Sequence, residues 1–127
     1  YAKAIQWYQR AADQNHVIAQ VNLGAIYAEG KGVPQSYAKA IKLYRHAAKQ
    51  GLAKAQFNLG VMYFISQGVP QDFVTAHMWF NLAATNGYQE AVEARSNTRR
   101  LMTSDALMKG QALARQCLAS DYQDCGE

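Results

Sequence analysis

The chain repeats itself every 36 residues. Tyr1 to Ser36 and Tyr37 to Asp72 align without a gap, and 19 of 36 positions carry the same residue. A third copy starts at Phe73 and keeps Ala76, Trp79, Phe80, Ala83, Ala84, Gly87 and Ala91 before it diverges. A period in this range marks stacked supersecondary units, none of which covers its apolar face without a neighbour.

Each unit reads as two helices. In the first, Ala4, Tyr8, Ala11 and Ala12 share a face at the spacing of a 3.6-residue period, with Ile5 at its edge. In the second, Ala19, Leu23 and Tyr27 form the packed stripe beside Gly24, and Lys and Gln fill much of the remainder. No two-residue alternation suggests a strand. Gly51 and Gly87 stand where a first helix ends, with Asn15 at the matching position of unit one. Ser36, Asp72 and Thr103 are N-cap candidates. These signals predict helices at 1–14, 17–29, 36–50, 53–66, 72–86, 89–101 and 104–119.

Small residues set how closely the helices stack. Ala11-Ala12, Ala47-Ala48 and Ala83-Ala84 recur, as do Gly24 and Gly60. A mid-helix glycine costs about 1 kcal/mol against alanine, so its recurrence points to a steric need. Trp7, Tyr8, Tyr27, Tyr44, Tyr63, Trp79 and Phe80 are expected to fill the core between helices. In the third unit the L-G-x-x-Y segment becomes Arg95-Ser96-Asn97-Thr98-Arg99, a polar version suited to the end of a stack. The helix that follows is expected to lie over the last pair, and either it or a partner is expected to cover Met78 and Leu82.

Composition bounds the function classes. Of 127 residues half are apolar and 17% charged, which is globular and not disordered. No apolar run approaches the ~20 residues that cross a bilayer, so no membrane insertion is expected. A net charge of +4 is too small to demand nucleic acid. No signal peptide is visible, and the chain opens at Tyr1 inside a helical pattern, as a piece of a longer protein would.

The pattern A-x-x-x-L-G-x-x-Y, then G-V-P-Q-[SD], then A-x-x-x-[YF]-x-x-A-A resembles the Sel-like repeat family, a relative of the tetratricopeptide repeat. It is carried by Ala19, Leu23, Gly24, Tyr27, Gly32, Val33, Pro34, Ala40, Tyr44, Ala47 and Ala48. It recurs as Ala55, Leu59, Gly60, Tyr63, Gly68, Val69, Pro70, Ala76, Phe80, Ala83 and Ala84. The resemblance covers about residues 1–94 and implies an all-α, right-handed α/α superhelix, a solenoid used as a protein-binding scaffold without chemistry or cofactor of its own. Residues 1–103 are then the repeats, and 104–127 a capping helix and tail. Ser66 in place of Gly30 and His77 at an Ile position are departures that put local geometry in doubt.

A stack of this kind offers a groove for a protein or peptide. The stripe of the second helices turned away from the packed one holds Ile18, Asn22, Ala25 and Glu29, matched by Lys54, Asn58, Val61 and Ile65. Paired amides at Asn22 and Asn58 suit a clamp on a peptide backbone, unless they bond to neighbouring loops. Lys39, Lys42, His46 and Lys49 share one helix face, either a solvated surface or a seat for an acidic partner. Cys117 and Cys125 suggest a local disulfide, since some secreted relatives carry disulfides at this interval, and with it a periplasmic or secreted protein. Two free thiols in a cytoplasmic chain are the alternative. No metal-binding, phosphate-binding or nucleophile motif is present, and His16, His46 and His77 lie in different units. The competing function, a secreted cell-wall-associated enzyme-like repeat protein, rests on the resemblance alone.

Overall fold

A computed structural model describes residues 2–125. Tyr1, expected at the start of the first helix, and Gly126 and Glu127, expected in the tail, lie outside the described residues. The described chain forms seven helices and no strand: α1 (Ala2–Asp13), α2 (Val17–Glu29), α3 (Tyr37–Lys49), α4 (Ala53–Ile65), α5 (Phe73–Thr85), α6 (Gln89–Arg99) and α7 (Ser104–Ala119). α1 to α5 each pack on the next helix in sequence, and α7 packs on α5. That is the all-α solenoid the period requires.

The local signals act as written. Ser36 accepts from the Lys39 amide at 3.2 Å, Asp72 from Thr75 at 3.1 Å and Thr103 from Ala106 at 3.1 Å, so each caps its helix. Asn15, Gly51 and Gly87 take the left-handed conformation at φ 65°, 87° and 91°. Ser66 holds the same conformation as Gly30, with φ 61° against 72°. Its hydroxyl donates to the Val69 carbonyl at 3.0 Å, which offsets the strain a side chain adds there.

Gly24 and Gly60 are the contact points of α2 with α3 and of α4 with α5. A Cβ at Gly24 would sit 2.7 Å from the Tyr44 ring, and one at Gly60 2.7 Å from the Phe80 ring. Both rings are buried and have no room to retreat. Propensity alone predicts that Gly60→Ala stabilises by about 1 kcal/mol. Overpacking reverses the sign, and we expect a net loss of about 1–2 kcal/mol. At Gly110, also within a helix, an added Cβ meets nothing closer than 3.4 Å. Gly110→Ala is therefore expected to be neutral or to stabilise by up to about 1 kcal/mol. Urea denaturation of both variants checks the opposite signs.

The core is continuous from Val21 through Leu59 and Trp79 to Ala114 and Cys117. Trp7 does not join it and is 64% exposed, against the expectation from sequence. The reason is its surroundings. Among the described residues α1 packs on α2, whereas α5, which carries Trp79 at the equivalent position, is flanked by α4, α6 and α7. α7 covers one helix of the last pair, α5, and under it Met78 and Leu82 are fully buried.

Candidate binding surfaces

The stripe expected to line the groove is formed by α2 and α4, both of which pack on α3. Ile18, Glu29, Lys54 and Ile65 are exposed, and Asn22, Ala25, Asn58 and Val61 are half-buried. Among the described residues, the side-chain amides of Asn22 and Asn58 make no hydrogen bond. Glu29 pairs with Lys31 at 2.9 Å on the surface. Val61 lines a small apolar cleft of ≈ 160 Å³ with Phe64, Phe80 and Ala94. The other stripe residues line neither this cleft nor the clefts of ≈ 650, 520 and 210 Å³.

A cleft of ≈ 650 Å³ lies on another face of α2, where α1, α2 and α3 meet. Its floor is Ala12, Leu23 and Tyr27, and its rim carries Lys39, Lys42, His46 and Lys49. The Lys39 ammonium stands 5.1 Å from the centroid of the Tyr27 ring, a cation–π contact. One carboxylate, Asp13, borders the cleft and accepts from Gln9 at 2.8 Å. The basic face read from the sequence is thus one wall of a concavity.

His77 lies under α7 and lines a polar cavity of ≈ 210 Å³ with Asn81, Arg95 and Arg99. Burial lowers its pKa, and the Arg95 and Arg99 guanidinium groups lower it further. Arg95 donates to the Asn81 side-chain oxygen at 2.9 Å. The departure from Ile thus places an imidazole whose charged form is disfavoured beside polar neighbours, with its Nδ1 buried and unpartnered among the described residues. Among the described residues no group of His, Cys, Asp and Glu is suited to hold a metal ion, and no helix is long and apolar enough to cross a membrane.

Cys117 and Cys125 lie at disulfide-bonding distance with their Cα atoms 4.4 Å apart, and both are buried. The turn between them lays the Tyr122 ring on Gly51, where an added Cβ would meet it at 3.3 Å.

Two residues that the sequence left among the polar filler prove central. Gln20 and Gln56 are buried, and their amides donate to the Ala12 and Ala48 carbonyls of the preceding helix at 3.3 and 3.1 Å. The Gln56 oxygen accepts from Asn86 at 3.0 Å, while the Gln20 oxygen has no partner among the described residues. Their recurrence at the period was the available signal.

A family model described as the Sel1 repeat matches residues 1–16, 17–52 and 53–88. Its two full units join α2 to α3 and α4 to α5, the pairs held by Gly24 and Gly60, half a unit out of phase with a frame counted from Tyr1. The chain is similar to a protective antigen of uropathogenic Escherichia coli strains that displays an SLR fold. That match has 34% identity over 94% of this chain and a TM-score of 0.89. It is also similar to a Sel1 repeat protein from Oxalobacter formigenes, with 35% identity over 72% of this chain and a TM-score of 0.68. It spans 27% and 37% of those two chains, respectively. No curated protein matches it significantly.

Proposed function

Since the chain belongs to the Sel1 repeat family, we propose that it is a non-catalytic scaffold that holds a protein or peptide partner along the stripe of α2 and α4. The observation that carries this reading is the pair Asn22 and Asn58. They stand 36 positions apart in the same register, half-buried, with amides unspent on the fold. An amide not engaged by the fold offers both a donor and an acceptor to a bound peptide backbone. Exposed Ile18 and Ile65 supply apolar contact along the same stripe, and Val61 opens a small pocket beside it.

The test is a peptide selected on the wild-type protein by display and then titrated against Asn22→Ala/Asn58→Ala. Two lost hydrogen bonds are worth about 1 kcal/mol each, so affinity is expected to fall by about thirtyfold. Thermal stability is expected to stay within about 1 kcal/mol. Unchanged affinity removes the clamp.

The finer placement in an oxidising compartment, the periplasm or the exterior, is part of the same proposal. It is supported by the buried pair Cys117 and Cys125. Thiol titration of the protein recovered from its native compartment is expected to find no free thiol, and two would place it in a reducing one.

A further inference from the structure

The geometry points to a second binding site, the cleft between α1 and α3, as a seat for an acidic amphipathic helix of a partner protein. It lies apart from the Asn22 and Asn58 stripe and does not depend on it. The argument begins with the 36-residue period. Shifted by one unit, the cleft residues Asn15, Gln20 and Leu23 become Gly51, Gln56 and Leu59, and Lys42, Leu43 and His46 become Met78, Trp79 and Leu82. That second set is covered. Leu59, Met78, Trp79 and Leu82 are buried in one cluster with Ala114 and Cys117 of α7, and the Tyr122 ring closes over Gly51. Among the described residues, the later cleft is therefore filled by the chain's own helix and the earlier one is not.

Hydrogen bonding marks the same difference. In the filled cleft the Gln56 oxygen accepts from Asn86, and the same Asn86 amide donates to the Tyr122 hydroxyl at 3.0 Å. In the open cleft the equivalent Gln20 oxygen is buried and unpartnered among the described residues. Buried acceptors are rarely left so.

Charge decides what fits. One unit on, α5 carries Thr75, Met78, Leu82 and Thr85, none of them charged, and Met78 and Leu82 are buried in one cluster with Ala114 and Cys117 of α7. The open cleft has Lys39, Lys42, His46 and Lys49 at those positions. A second copy of α7 would set small apolar residues against three lysines. A helix with an apolar stripe flanked by glutamates instead packs on Ala12, Leu23 and Tyr27 and pairs with the rim.

The probe is a synthetic helical peptide of the same 16-residue length as α7, with a Leu-Ala stripe flanked by glutamates. Its lysine counterpart and an oligothymidylate serve as comparisons. The glutamate peptide is expected to bind and to shift the amide resonances of Asn15, Gln20, Leu43 and His46. Lys39→Gln/Lys42→Gln/Lys49→Gln is expected to weaken it at least about tenfold. Lys54→Gln/Lys109→Gln/Arg115→Gln removes equal charge elsewhere and is expected to weaken it less than about threefold. Four results overturn the assignment: no binding, equal binding of the lysine peptide, equal binding of the oligonucleotide, or equal losses in the two triple variants. Asn22→Ala/Asn58→Ala leaves this probe's affinity unchanged, which separates the two sites.

Discussion

Trp79→Ala lowers the unfolding free energy by about 3–5 kcal/mol, the range for removing a buried indole and leaving a cavity. Trp79 is fully buried on α5, where α4, α6 and α7 converge, so no single neighbour can collapse into the space. Two companion variants make the expectation specific. The Trp79 indole N–H is buried without a partner among the described residues. Trp79→Phe removes that orphan donor, and its cost is held within about 1 kcal/mol because the relieved penalty offsets part of the lost volume. Trp7 occupies the same repeat position with most of its surface in water, and Trp7→Ala changes stability by about 0.5 kcal/mol or less. Urea denaturation followed by circular dichroism reads all three. Equal losses at Trp7 and Trp79 would show that α7 does not seal the core.

Loss of the cysteine link is expected to cost about 2–3 kcal/mol. Cys117 and Cys125 are eight positions apart, and closing a loop of that size restrains the unfolded chain by about this amount. The link also ties down the turn that carries Tyr122 to Gly51 and Asn86. Reductant is expected to lower the melting temperature of the wild type and to leave Cys117→Ala/Cys125→Ala unaffected. Alanine is the suitable replacement, because both positions are buried and a serine hydroxyl would need a partner there. A melting temperature indifferent to reductant overturns the expectation.

What could be read from the sequence was whatever recurs locally. The caps at Ser36, Asp72 and Thr103 and the close approaches at Gly24 and Gly60 depend on residues a few positions away or on an identical neighbour one unit on. Helix ends were displaced by one or two residues where capping residues had been counted as helix, as at α3 and α5. Other features needed the three-dimensional neighbourhood. Gln20 and Gln56 look like surface polar residues until the carbonyls of Ala12 and Ala48 are placed beside them. Trp7 and Trp79 share a pattern position and differ in environment, since among the described residues α5 packs on α4, α6 and α7 and α1 chiefly on α2. The basic face of α3 was visible as a run of charges, but its pairing with α1 into a cleft was not, since no repeat signal describes the space between units.

The buried glutamines have a consequence for any partner that lies along the stack. Each one fastens a helix to the end of the helix before it, at the same offset in successive units, and so helps to hold the spacing from one unit to the next. The protein is in effect a graduated ruler: a ligand gripping two successive marks must carry its own anchors at that fixed interval. On the proposed reading, a linker of the wrong length between two such anchors would forfeit the second grip, and recognition would be selective for distance as well as for chemistry.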